Sequence, residues 1–257
     1  MISDRQLYER GAATLVTSWE AYAAGSPGAA LLRLDGVAAG VFPAQPERAI
    51  YNNALLERDL APAAAAAALE AMEAAYTAAG VERYAAWVHE SQMALRDELH
   101  ARGYRVTETT RAMGMSVDDL AAVPPAAELI RAEWADYLSY LRALGLPAGL
   151  LSGVEPTRFH ALAARLDGAD VATALALDHD GDCGLYNMST LGHARRRGLA
   201  TRLTAHHVHL AAGRGCTTAS LQSTAMGEHV YAAVGFRDLG RIIEYEPGTV
   251  RSVLAAA

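Results

Sequence analysis

Residues 184–203 read GLYNMSTLGHARRRGLATRL, and the folding of this stretch decides how the rest of the chain is read. Residues 184–190 read as a strand. Leu199 opens a helix, because Leu199, Leu203, His206 and Leu210 fall within about 60° on a helical wheel at 100° per residue. Between strand and helix, Arg195-Arg196-Arg197 lead into Gly198. A helix entered this way presents backbone N–H groups that have no intrahelical partner. Its dipole favours an anion there by about 0.3–1 kcal/mol, and each hydrogen bond to a charged acceptor contributes roughly 1.5–3 kcal/mol. Several such donors suffice to hold a pyrophosphate, and the arginines add steering and phosphate pairing. Gly198 and the small Ala200 let the backbone approach closely.

Other phosphate loops do not fit. No GxxxxGK[ST] occurs, and Gly213-Arg214-Gly215 precedes a strand instead of following one and lacks a third glycine.

The totals bound the function. A chain of 257 residues suits two domains of about 130 residues. It is 52% hydrophobic and 20% charged, as soluble globular proteins are. Net charge −7 and a pI near 5.7 argue against a nucleic-acid binder and favour a cationic or neutral partner. The N-terminal MISDRQLYER is polar, and no apolar run approaches the roughly 18 residues of a membrane span, so a cytoplasmic protein with no membrane partner is expected. Cys183 and Cys216 lack metal-ligand spacing and read as reduced, buried thiols.

An internal repeat sets the domain plan. Residues 78–105 and 211–237 both run Ala-Ala-Gly, a β-prone stretch, a Met thirteen residues beyond the Gly, then Gly-aromatic-Arg. Tyr51-Asn52-Asn53 likewise precedes Tyr186-Asn187-Met188 by 135 residues. Pro124-Pro125 marks the join, giving domains at 1–118 and 127–257. In the first, helices are expected at 4–24, 62–79 and 91–101, with strands at 29–34, 37–42, 48–55, 83–88 and 105–117. In the second, helices are expected at 127–144, 156–166, 199–212 and 225–234, with strands at 171–177, 183–190, 216–222 and 237–246. The fold class is α/β, each domain a mixed sheet flanked by helices.

Arg195-Arg196-Arg197-Gly198-Leu199-Ala200 resembles the [QR]xxGx[GA] loop of the GNAT acetyltransferase superfamily. Met188-Ser189-Thr190 resembles that family's strand end beside the pantetheine arm, and Tyr231-Ala232-Ala233-Val234-Gly235-Phe236 its Tyr-x-x-x-Gly-Phe element. The resemblance implies two GNAT-like domains, each a mixed, mostly antiparallel sheet. It also implies acetyl-coenzyme A as cosubstrate, held by Met188, Ser189, Thr190, Arg195, Arg196, Arg197, Gly198, Leu199, Ala200 and Thr201. Thr224 stands where the family often has Asn. Tyr231 is implied as the catalytic acid that protonates the departing thiolate; an unperturbed phenol titrates near 10 and a thiol near 8.5. The first half resembles the same fold in degenerate form. Glu57 and Asp59 sit where phosphate would go, and Leu99 takes the place of Tyr231.

The implied reaction is N-acetylation of a small-molecule amine, with a homodimer as a possible assembly; the alternative is a non-catalytic acyl-coenzyme A sensor. Glu133, Asp136 and Glu228 are candidate bases, each more readily a solvated carboxylate. No metal is expected. His206, His207 and His209 lack ligand spacing, with His206 placed in the core, and the stretch from Asp178 has its glycine at the fourth position instead of the sixth of a calcium loop, with no acid at the twelfth. Trp19, Trp87 and Trp134 read as packing residues, with Trp134 and Tyr137, three apart on one face, as candidate acceptor contacts.

Overall fold

The computed structural model describes residues 2–44, 51–122, 128–145 and 148–248. The chain opens with α1 (Asp4–Ala24), capped by Ser3 and Gln6 in a reciprocal box. Strands β1 (Ala30–Leu34), β2 (Val37–Val41) and β3 (Asn53–Leu56) follow, then α2 (Pro62–Ala78), β4 (Ala85–His89), α3 (Met93–Ala101) and the long β5 (Tyr104–Ser116). Beyond it come β6 (Glu128–Arg131), α4 (Trp134–Ala143), α5 (Ala148–Leu151), β7 (His160–Leu166), β8 (Ala169–His179) and β9 (Asp182–Thr190). The chain continues through α6 (Leu199–Gly213), β10 (Thr218–Ser223), α7 (Glu228–Ala232) and β11 (Arg237–Pro247).

These elements form two compact units. Residues 1–27 and 110–241 make the first, and residues 28–109 with 242–257 the second. The units do not follow the expected division at 118/127, because α1 packs on β8, β9 and β10 and so joins the later part of the chain. Both β5 and β11 contribute one end to each unit.

The second unit holds β1-β2-β3-β4-β11-β5, with β3 and β4 parallel. Helices α2 and α3 bury Leu69, Met72, Tyr76, Leu95 and Leu99 against Val88 and Tyr245. Leu99 is wholly buried there.

The first unit holds β11-β5-β10-β9-β8-β7-β6, mostly antiparallel, with β9 and β10 parallel. One face packs α6. Its buried residues are Leu199, Leu203, Thr204, Ala205, His207, Val208 and Ala211, so the stripe lies to one side of the expected one. His207, not His206, is the core histidine, and Leu210 is exposed. The other face packs α1. There Arg10 Nε donates to Thr218 Oγ1 at 2.9 Å, and Thr218 and Ser220 donate to both oxygens of buried Asp182. A Cβ on Gly11 would lie 2.7 Å from Ser220 Cβ, so glycine is what lets α1 approach.

Two helix expectations fail. Residues 128–131 form β6, which shortens the helix expected at 127–144 to α4, and residues 160–166 form β7. HALAARL is alanine-rich and reads as helix locally, but Asp167 (φ 52°) and Gly168 (φ 80°) make the left-handed two-residue turn that pairs β7 with β8. The helix expected at 225–234 contracts to α7, and most of the strand expected over 48–55 lies outside the described residues or precedes β3. Cys183 and Cys216 are free and buried, as expected.

Candidate active site

In the first unit β9 and β10 pair from Asp182/Thr218 to Leu185/Leu221 and no further. Beyond that point each keeps only its outer neighbour: β9 stays on β8, and Gln222 and Ser223 stay on β5. A notch therefore opens between residues 186–190 and 222–223, lined by backbone groups without a strand partner on that side. Asn187, at φ 51°, marks a register shift in the β8–β9 ladder at the mouth of the notch. Met188 packs partly buried against the cluster containing Leu199 and Leu203, and Ser189 lies 3.4 Å from Thr173 Oγ1.

The chain leaves β9 at Thr190, makes a single 3-10 turn, and passes through the arginines. All three are exposed. Arg195 Nε reaches back to donate to the Thr190 carbonyl at 3.2 Å, and Arg202 Nη1 donates to the Arg197 carbonyl at 2.7 Å, which stiffens the loop. Gly198 is left-handed (φ 71°, ψ 13°) and caps α6 with no side-chain hydrogen bond. A Cβ there would meet only the Arg202 guanidinium, at 3.4 Å or more, so the outer side of the turn is open. The fifteen-residue α6 thus offers its first amides to an anion, with no acidic residue in its first turn and no side-chain cap among the described residues. Leu199 is buried, anchoring the turn, while Ala200 and Thr201 are half-buried. Thr224 is exposed, its carbonyl accepting from Ser223 Oγ and Gly227 N.

Tyr231 sits on α7, its ring edge-on to Phe236 at 6.1 Å. Burial pushes its phenol up to about 12. Against a thiol near 8.5, outright proton donation is then uphill by roughly 5 kcal/mol, more than an unperturbed phenol would face. The hydroxyl is better suited to hydrogen-bond a developing thiolate than to give up its proton early. Five residues do not hold a helix unaided, and α7 is tied down by Arg111 of β5. Arg111 pairs with Glu228 at 2.9 Å and with Asp238 of β11. Of the candidate bases, Glu228 is held in that ion pair, while Glu133 and Asp136 are exposed at the start of α4. Sequence reasoning missed Arg111 because only the β5–β10 pairing brings it near α7. Among the described residues, no group of three or more His, Cys, Asp and Glu is placed to hold a metal ion, and no helix is long and apolar enough to cross a membrane.

The corresponding junction of the second unit is different. There Asp59, left-handed at φ 61°, precedes α2 and accepts from Gln92 Nε2 at 3.2 Å. Pro62 at the start of α2 removes one of its free amides.

No protein-family model matches the chain, and no curated protein matches it. Solved structures do. A GCN5-related N-acetyltransferase from Kribbella flavida superposes with a TM-score of 0.70 at 18% identity, covering 93% of this chain and 95% of its own. A tandem GNAT protein from the clavulanic acid biosynthesis pathway gives 0.61 at 14% identity, covering 86% and 83%. A GCN5-related N-acetyltransferase from Sphaerobacter thermophilus gives 0.57 at 13% identity, covering 82% and 76%. The chain shares the fold of solved GCN5-related N-acetyltransferases over most of its length.

Proposed function

We propose that the chain is an acetyl-coenzyme A-dependent N-acetyltransferase of small-molecule amines. Its working site lies in the 127–257 half, and the 1–118 half is a degenerate copy of the same fold. The observation that carries the reading is the uncapped start of α6 behind an open Gly198, flanked by three exposed arginines at the foot of the β9–β10 notch. The likeness to a tandem GNAT structure supports the two-copy plan, and Asp59 at the α2 junction supports a first copy that does not take phosphate.

Residues 195–201 would hold the pyrophosphate, with Met188, Ser189 and Thr190 along the pantetheine arm and Thr224 across the notch. Bound there, acetyl-coenzyme A supplies a thioester carbonyl. Backbone N–H groups of residues 187–190, freed by the notch, polarise that carbonyl. The amine nitrogen forms a bond to the carbonyl carbon as the carbon–sulfur bond breaks. One N–H proton leaves the nitrogen, and the sulfur is stabilised by the Tyr231 hydroxyl and ends protonated.

Calorimetry with acetyl-coenzyme A, followed by thiol release across a panel of amines, tests this. Arg195→Ala with Arg196→Ala is expected to weaken uptake about tenfold or more at low salt, and less at high salt. Tyr231→Phe is expected to cut turnover about 10²-fold with uptake nearly unchanged. Uptake indifferent to the arginines removes the loop assignment. Uptake without thiol release from any amine favours a sensor.

A further inference from the structure

The β8–β9 ladder breaks at one point. Leu175 pairs with Tyr186 and Thr173 with Ser189, so Asn187 and Met188 together stand opposite Ala174. This is a β-bulge on β9, in the segment whose backbone N–H groups would face the thioester carbonyl. The ladder does not hold such a bulge by itself. Asn187 is left-handed at φ 51°, a conformation that persists in a residue with a side chain only where the surroundings fix it. Three helices supply those surroundings, and they come from both faces of the sheet.

On the α6 face, His207 is fully buried, and its Nε2 donates at 3.3 Å to the carbonyl of Ala174, the β8 residue that the register leaves without a partner on β9. His207 lies about two turns beyond Leu199 on α6. One rigid element thus joins the turn that would hold the pyrophosphate to the bulge that would face the acetyl group.

On the other face, the Tyr137 hydroxyl of α4 hydrogen-bonds with the side chain of Asn187. Tyr137 is 1% exposed and wedged by an aromatic group. Trp134 leans on it at 5.4 Å, Phe159 stacks on Trp134 at 5.9 Å, and Tyr22 of α1 stacks on Phe159 at 5.6 Å. Phenylalanine would fill the place of Tyr137 equally well, so packing accounts for the ring and the bond to Asn187 for the hydroxyl. Tyr186, the last residue paired before the bulge, folds back over Gly184, and its hydroxyl hydrogen-bonds with Ser18 of α1.

We propose that Tyr137 and His207 are positioning residues for acetyl transfer: from opposite faces of the sheet they hold the Asn187–Met188 bulge so that the backbone N–H groups of residues 187–190 point at the thioester carbonyl oxygen. The inference rests on the acetyltransferase reading and deepens it. Both side chains act through the β9 backbone, not on the cosubstrate. Loosening either one therefore weakens the polarisation of the carbonyl, while the arginine loop goes on holding the pyrophosphate.

The test uses the full chain and acetyl-coenzyme A isotope-labelled at the thioester carbonyl, whose infrared stretch falls in frequency as its oxygen accepts stronger hydrogen bonds. Bound to the wild type, the stretch is expected below its value in water. Tyr137→Phe, Asn187→Gly and His207→Leu are each expected to lose about half of that shift or more, with acetyl-coenzyme A affinity within about threefold of wild type. His207→Gln keeps a donor for Ala174 and should retain most of the shift. Tyr137→Phe combined with Asn187→Gly should lose no more than either alone, because the hydroxyl acts through that side chain. Should His207→Leu fail to fold, Tyr137→Phe decides, since it removes one oxygen and keeps the ring. A full shift in Tyr137→Phe, or in a folded His207→Leu, overturns the inference and leaves the acetyltransferase intact. No acetyl-coenzyme A uptake by the wild type, or a bound carbonyl unshifted from water, ends the acetyltransferase reading of the notch and this inference with it.

Discussion

Gly227 shows how closely single positions are set around the candidate acid. Its φ of −90° and ψ of −20° suit any residue, so alanine there strains no backbone. Yet a Cβ would lie 2.9 Å from Ser223 Oγ and 3.0 Å from Tyr231 Cε2. Gly227→Ala is therefore expected to push the Tyr231 ring aside by a few tenths of an ångström. Turnover should fall about three- to tenfold while the denaturation midpoint barely moves; equal turnover would show that the ring position does not matter. His207 makes a different demand. Its Nε2 lies 3.3 Å from the Ala174 carbonyl, which fixes the proton on that nitrogen, and burial holds its pKa down to about 3. The folded value lies below the unfolded one near 6.5, so the neutral ring's contribution is complete above pH 6.5 and is lost as pH falls towards 3. Between pH 7.5 and 4.5 this group should cost about 2–3 kcal/mol. His207→Gln keeps a donor but does not titrate, so urea midpoints at the two pH values should draw closer together in the variant. Parallel losses in both proteins would show that the ring is not the acid-sensitive group.

Among the elements of the candidate site, α7 depends on its neighbours for its place. At five residues it is far below the length at which a helix persists alone, so its orientation comes from Arg111 and from the close approach at Gly235. Gly235 has φ 121°, and a Cβ there would lie 2.6 Å from the Asp119 carbonyl oxygen. Arg111→Met keeps the stem but frees Glu228 and Asp238, and is expected to lower kcat about tenfold with acetyl-coenzyme A affinity nearly unchanged. Arg111→Lys should recover part of the loss; equal damage by both would point to general destabilisation. The elements also show where local sequence carries the fold and where it does not. The bounds expected for α1, 4–24, match the helix, and the Ser3–Gln6 capping box that starts it is seen in the structure. The arginine loop was legible because strand, glycine and helix are contiguous. β7 was not, since its alanines favour helix and only pairing with β6 and β8 overrides them. The Asp167-Gly168 turn was the signal available. The aromatic group was half legible: Trp134 and Tyr137 share a helix face, but nothing local to Tyr22 or Phe159 foretells a stack between residues 137 apart in sequence.

For the molecule as a whole, the chain's domain plan and its compact units diverge at α1. The internal repeat argues for copies divided near 118–127, yet residues 1–27 pack with residues 110–241. The seam is polar at its centre. Arg10 donates to Thr218 and to the Asp180 carbonyl, and the Thr218 and Ser220 hydroxyls close on Asp182. Around it Leu7, Leu15, Trp19 and Tyr22 of α1 are buried. A fragment of residues 127–257 keeps the arginine loop but lacks this helix. It also lacks β5, whose residues 111–116 pair with all six residues of β10. Asp182 would then be open to water on one side, and β10, the strand bordering the notch, would become an unprotected edge. Such a fragment is expected to show no cooperative thermal transition and to take up no acetyl-coenzyme A, whereas co-expression with residues 1–126 should restore both. A sharp transition in the isolated fragment would mean that α1 and β5 are dispensable covers. The 127–257 half would then be a folding unit in its own right, as the repeat alone suggests.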